Sequence, residues 1–95
     1  MQQIICFDID GVLTTDICFT EEDILRSKPN IDAINLLHTY YKEDFVVLYT
    51  ARRDELIYPT LKWLQKHSIK YHAISNIKIP ASKYIDDKAE NYRIK

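Results

Sequence analysis

The stretch Ile4-Ile5-Cys6-Phe7-Asp8-Ile9-Asp10-Gly11 decides the fold of this chain. Its first four residues are short and apolar, which suits a strand buried on both faces, and the acids and glycine that follow suit a tight turn at its end. Strand one therefore spans about residues 3 to 9. Working outward, residues 12 to 28 are mixed and charged without a clear period, and read as a long excursion with a short hairpin around Thr14 to Phe19. Pro29 and Asn30 precede a helical stripe of Ile31, Ile34, Leu37 and Tyr41, so helix one covers about 30 to 42. Phe45 to Tyr49 is β-branched and aromatic, hence strand two, and Thr50-Ala51-Arg52-Arg53 is the loop at its end. A second helix carries Leu61, Trp63 and Leu64, with Pro59 near its start and Asp54 available to cap an earlier, kinked beginning. Tyr71 to Ile74 reads as strand three, and Tyr84-Ile85 before Asp86-Asp87 as a brief strand four.

Strands alternating with helices predict parallel βαβ units with right-handed crossovers. The expected fold class is α/β, a three-layer Rossmann-like sandwich with a short parallel sheet and no cap domain. At 95 residues the chain fits a single domain, 1–95, with 46% hydrophobic residues for a core and 28% charged residues for a surface. The net charge of -1 removes whole-protein attraction to nucleic acid or anionic membrane. A single glycine, Gly11, excludes both G-x-G-x-x-G and Walker A loops. Cys6 and Cys18 form no C-x-x-C pair and no zinc framework. The C-x5-R arrangement of cysteine phosphatases fails too, because positions 12 and 24 hold Val12 and Ile24. Two reduced thiols, and no apolar stretch near 18 residues, make the cytoplasm the expected compartment.

In doubly wound folds ligands bind outside the carboxyl ends of the strands. Asp8 and Asp10 follow the first, Thr50 the second, Asp86 and Asp87 the fourth. Residues two apart on a strand point the same way, so Asp8 and Asp10 can face one site, and Gly11 permits a sharp turn beside it. Converging carboxylates repel unless a cation sits among them, and hard oxygen ligands without His or Cys favour Mg2+. The candidate metal residues are Asp8, Asp10, Asp86 and Asp87. A carboxylate nucleophile beside Mg2+ suits phosphoryl transfer through an aspartyl-phosphate, with Asp8 attacking and Asp10 as general acid and base. Thr50 offers a hydroxyl, and the loop through Ala51 and Arg52 further contacts, to phosphoryl oxygens. Lys78 and Lys83 are the candidates to offset the charge of nucleophile and phosphate.

These residues resemble the haloacid dehalogenase (HAD) superfamily of aspartate-nucleophile phosphohydrolases. "FDIDGVL" is similar to its first motif, "VVLYTAR" with Thr50 to its second, and "YIDDKA" to its acidic fourth. More narrowly, "LYTARR", "WLQKHSIKY" and "KIPASKYIDDKA" resemble small capless members of the capsule-biosynthesis and phage type. The resemblance covers about residues 3 to 90. It implies Asp8 as nucleophile, Asp10 as acid/base and backbone-carbonyl metal ligand, and Thr50 on phosphate. It further implies Lys78 as the third-motif lysine, Asp86 as a metal ligand and Asp87 as a further ligand. Val12, where Thr is common, and Pro80 depart from the pattern. A regular fourth strand would turn Lys83 away from Asp86, which also favours Lys78.

Other readings compete. A lone D-x-D-G is more often a solvated turn, Thr50 alone is as readily a helix cap, and Arg52 and Arg53 divide between a solvated loop and a phosphate contact. The histidines fit packing or surface roles. A phospho-accepting receiver-like signalling domain also gathers acids, Thr, Lys and Mg2+, but places its acidic pair on the first strand and its acceptor midway. A catalytically silent binding module is the third reading, which the retained Asp10 disfavours. The expected partner is a phosphorylated substrate: a sugar phosphate, a nucleotide or a larger phosphoester, with nucleic acid only as a phosphorylated end and no membrane. A homo-oligomer covering the open site is the expected alternative to a large substrate.

Overall fold

A computed structural model of the chain describes residues 2–15, 18 and 20–86. Four strands, β1 (Ile4–Asp8), β2 (Phe45–Tyr49), β3 (Ala73–Ser75) and β4 (Lys83–Ile85), form one all-parallel sheet in the order β3-β2-β1-β4. Three helices, α1 (Glu21–Arg26), α2 (Ile31–Tyr41) and α3 (Ile57–Lys66), lie in the first two crossovers. This is the expected α/β, Rossmann-like core, with no cap domain among the described residues. The strand order reverses at β1, where the chain leaves the β1-β2-β3 direction and returns to place β4 on the far side. Doubly wound sheets bind ligands at such a switch point.

The register sorts the sheet into two faces, because partners in a parallel pair lie side by side and side chains alternate along each strand. Ile5 and Phe7 align with Val46, Leu48 and Ile85 on one face. These residues are buried in a single cluster with Ile24 of α1, Ile34 and Leu37 of α2, and Trp63 and Leu64 of α3. Successive right-handed crossovers in one direction put their helices on the same side, so all three helices cover this face. Phe7 meets Tyr40 edge-on at 6.1 Å, and the Trp63 indole N–H donates to the Ser27 carbonyl at 3.0 Å, tying α3 to the end of α1. The opposite face carries Cys6, Val47, Ala73 and Tyr84, with Asp8, Tyr49 and Ser75 at its carboxyl end. Among the described residues its cover is the extended connection 76–82, which runs from β3 to β4 and buries Ala81.

Local chemistry explains the element limits. Asn30 caps α2, its side chain accepting the Ala33 N–H at 3.3 Å, so the helix starts one residue inside the expected span. Pro59 is the third residue of α3, where its missing N–H is one of the unpaired first-turn donors, and a 3₁₀ turn (Asp54–Leu56) leads into the helix. β3 begins two residues later than the sequence pattern predicts, because the His72 ring takes over part of the pairing: Nδ1 accepts the Val46 N–H at 2.9 Å. The excursion contains a helix the pattern did not predict. Thr20 and Asp23 close a reciprocal capping box around the first turn of α1. The expected hairpin involves residues 16, 17 and 19, outside the described residues; Thr14 itself bridges antiparallel to Pro29. Asp87 likewise lies outside them. Among the described residues no helix is long and apolar enough to cross a membrane.

Candidate active site

The sheet's carboxyl end at β1 and β2 holds an open hollow lined by Asp8, Ile9, Asp10, Tyr49, Thr50 and Ala51. Asp8 is the last residue of β1 and is aligned with Tyr49, the last of β2, which puts Thr50 one step beyond. The turn Ile9–Leu13 then reverses the chain. Gly11 sits at φ 78°, in the left-handed region where a side chain would clash, and this is what the glycine of the sequence is needed for. Thr14 locks the turn: its hydroxyl accepts the Gly11 N–H at 3.2 Å and donates to the Ile9 carbonyl at 3.4 Å. Val12, at the position where the resemblance leads one to look for Thr, is buried in the main core instead.

Asp10 is held by a buried arginine. Arg52 Nε lies 3.2 Å from Asp10 Oδ1 and 3.1 Å from Oδ2, and Nη2 lies 2.5 Å from Oδ1. The Cys18 N–H also donates to Oδ1 at 3.2 Å. The remaining arm of the guanidinium, Nη1, donates to Thr60 Oγ1 at 2.6 Å, and that hydroxyl donates in turn to the Leu56 carbonyl at 2.6 Å. The Arg52 side chain is 2% exposed. Its backbone N–H donates to Thr50 Oγ1 at 3.1 Å. A solvated Arg52 is therefore ruled out, and the guanidinium expected to contact substrate is committed to Asp10 and Thr60. Arg53, one residue on, is the solvated one, paired with Glu55 at 3.3 Å. Thr50 is not a helix cap: besides accepting from Arg52 it donates its own N–H to the Ser75 carbonyl at 3.0 Å.

Lys78 and Lys83 go to opposite faces. Lys78 comes from the connection 76–82 and brings Nζ to 4.0 Å from Asp8 Oδ1. Its ammonium lies over the rings of Tyr49 at 5.2 Å and Tyr84 at 5.6 Å, so two aromatic faces guide it to the acid. Lys83 opens β4 on the helical face, with Nζ 3.4 Å from the Tyr40 hydroxyl. Cys6, two residues before Asp8 on the same face, is buried; that burial, with Asp8 adding to it and Lys78 opposing, pushes its thiol up to about 11. Burial also raises the Cys18 thiol, and neither cysteine is in a disulfide.

A divalent cation has a fitting donor set here. Asp86 follows Ile85, the residue aligned with Phe7, as Asp8 follows Phe7, so the two acids stand at adjacent strand ends. Among the described residues no three His, Cys, Asp or Glu side chains cluster to hold a metal by themselves. Mg2+ does not need that, since it keeps several waters and commonly takes only one or two carboxylates alongside a phosphate. The roles of Thr60, Thr14 and the tyrosine pair had no motif to announce them. Only the buried position of Thr60 between Pro59 and Leu61, on the inner side of α3, marks it, and that position emerges from packing.

The family model described as "PITM 1-3, LNS2 domain" matches residues 5–93. No curated protein and no solved structure matches the chain. The match points to the LNS2 domain and not to the narrower capsule-biosynthesis and phage type that the sequence motifs resemble.

Proposed function

The chain belongs to the LNS2 domain family, of the phosphatase-type HAD-like superfamily, and from that premise we propose that it hydrolyses a phosphomonoester through an aspartyl-phosphate on Asp8. The observation that carries this reading is the approach of Lys78 Nζ to 4.0 Å from Asp8, an acid that lines one hollow with Asp10 and Thr50. An acid without a counter-charge there would be repelled by an incoming phosphate dianion, and the lysine offsets that repulsion.

In the first half-reaction Asp8 attacks phosphorus, the ester bond breaks, and Asp10 gives its proton to the leaving alkoxide. In the second, Asp10 takes a proton from water, the water oxygen attacks the aspartyl-phosphate, and inorganic phosphate leaves with Asp8 regenerated. Thr50 and Ala51 line the hollow where phosphoryl oxygens would lie. Asp8, the Asp10 backbone carbonyl and Asp86, with Asp87 beside it in sequence, would hold Mg2+, which when bound supplies positive charge to the phosphoryl oxygens. The open hollow leaves room for a sugar phosphate, a nucleotide or a larger phosphoester, and for closure by a second copy; the cytoplasm suits two cysteines outside any disulfide.

The test is hydrolysis of p-nitrophenyl phosphate with Mg2+ by the wild type and by Asp8→Asn, followed by a screen of sugar phosphates, nucleotides and 3′-phosphorylated DNA. Turnover by Asp8→Asn should fall to the uncatalysed background while the fold is kept, since the substitution preserves shape. Activity persisting in that variant at more than a small fraction of wild type would overturn the covalent mechanism.

A further inference from the structure

We infer that Arg52, backed by Thr60, is a positioning residue that aims the Asp10 carboxyl at the leaving group. The inference rests on the phosphatase reading and adds to it a residue pair outside the hollow. Three features carry it. First, the contact is a two-point clamp: Nε and Nη2 of one planar guanidinium both reach Asp10, which fixes the rotation of the carboxyl group as a single donor could not. Second, the donors are distributed unequally. Oδ1 receives Nε, Nη2 and the Cys18 N–H, whereas Oδ2 receives only Nε among the described residues. Oδ2 thus keeps the spare lone pair, and it is the oxygen that can carry the proton to a bridging ester oxygen. Third, the arginine is itself braced. Its outer nitrogen Nη1 is spent on Thr60, a fully buried residue whose hydroxyl donates to the carbonyl of Leu56, the last residue of the 3₁₀ turn that leads into α3.

That bracing distinguishes a positioning arginine from a phosphate-binding one. An arginine kept for substrate presents its fork outward; here the fork faces Asp10, the side chain is 2% exposed, and the backbone N–H is taken by Thr50. The chain Leu56, Thr60, Arg52, Asp10 runs from the start of α3 to the acid, so the orientation of the proton donor is tied to that helix and not only to the loop it sits on.

The experiment compares wild type, Arg52→Lys, Thr60→Val and Thr60→Ser on two donors with Mg2+. p-Nitrophenyl phosphate releases a stable phenolate that needs no proton, whereas glycerol 3-phosphate releases an alkoxide that does. For Arg52→Lys, kcat/KM on glycerol 3-phosphate should fall about 10²-fold, the lower range for loss of general acid catalysis, and on p-nitrophenyl phosphate change by less than about threefold. On p-nitrophenyl phosphate kcat should drop together with KM, and a burst of nitrophenolate should appear, because dephosphorylation needs Asp10 as base. Thr60→Val should follow the same pattern at about tenfold, and Thr60→Ser, which restores the hydroxyl, should return to wild type. Arg52→Lys is a poor replacement only where two donors are needed at once, so its failure reports the fork itself. Thr60→Val keeps side-chain volume and tests the same idea if Arg52→Lys does not fold. Equal loss of kcat/KM on both donors, or a raised KM on both, would overturn the inference by making Arg52 structural or a phosphate contact. A wild type inert towards p-nitrophenyl phosphate would instead defeat the phosphatase reading, and this role with it.

Discussion

The two faces of the sheet are built from the same strands and do different work. On one face Ile5, Phe7, Val46, Leu48 and Ile85 meet three helices in one apolar cluster. On the other, Cys6 and Val47 are just as buried, yet above them lie the polar reach of Lys78, the rings of Tyr49 and Tyr84, and at the rim Asp8. The difference teaches that burial and stability are separable here from chemistry. The first face should carry the folding free energy, and the second should tolerate change in stability while responding sharply in activity.

The largest effect that would test this division is on the helical face. Phe7→Ala should cost about 3–5 kcal/mol in urea unfolding, as deletion of a fully buried aromatic does when its surroundings cannot collapse. A cost under about 1 kcal/mol would mean that this face is not the main source of stability. Next comes the opposite face: Lys78→Ala should lower kcat at least ~10²-fold while moving stability by no more than about 0.5 kcal/mol. Lys83→Ala, whose ammonium lies by Tyr40 on the helical side, should leave kcat close to wild type. Equal kinetic effects of the two lysines would erase the distinction between the faces.

A smaller effect sharpens the picture beneath the connection 76–82. The folded state favours the Cys6 thiol over the thiolate, so the stabilisation is present below pH 9 and is lost as pH rises through about 11. The wild type should therefore lose stability relative to Cys6→Ala over that interval, measured by urea midpoints at each pH. The smallest expected effect lies on the helical side. His38 Nε2 accepts the Lys70 N–H at 3.0 Å, and burial, with Lys70 nearby, lowers its pKa from the ordinary 6.5. A depressed histidine prefers to be neutral in the fold, so its contribution is present above pH 6.5 and declines as pH falls below it. The acid-side loss of stability should diminish in His38→Gln.

Much of this division was legible in the sequence, and the exceptions have physical causes. Phe45–Tyr49 was readable to the residue because a buried parallel strand must be continuously apolar. The strand-end positions of Asp8, Asp10, Gly11, Thr50 and Asp86 were readable because a strand end plus a polar residue is a local pattern. α1 was not, since six residues with Ile24 as their one buried apolar side chain show no period; the Thr20 to Asp23 spacing was the available signal. Arg52 and Arg53 are the sharper lesson. Two identical side chains in sequence have opposite fates, one clamped between Asp10 and Thr60 and the other solvated with Glu55, and nothing local distinguishes them. Their difference is decided by where α3 docks, which is a tertiary fact.

The short path from β3 to β4 has a consequence for how the lysine is delivered. Residues 76–82 leave one edge of the sheet at its carboxyl end and must arrive at the amino end of the other edge, across three strand spacings of about 4.8 Å each. Wound as a helix, so few residues would advance only about 10 Å and fall short; stretched out, they reach roughly 25 Å and suffice. Length alone thus forces the segment to be extended, and it is pinned at its end where the Ser82 N–H donates to the Ile4 carbonyl at 2.8 Å. Lys78, about a third of the way along such a span, can only pass over the neighbourhood of β2 and β1. The position of the ammonium beside Asp8 is in this sense metered out by chain length, so that lengthening the span would detach the charge from the acid without disturbing a single strand.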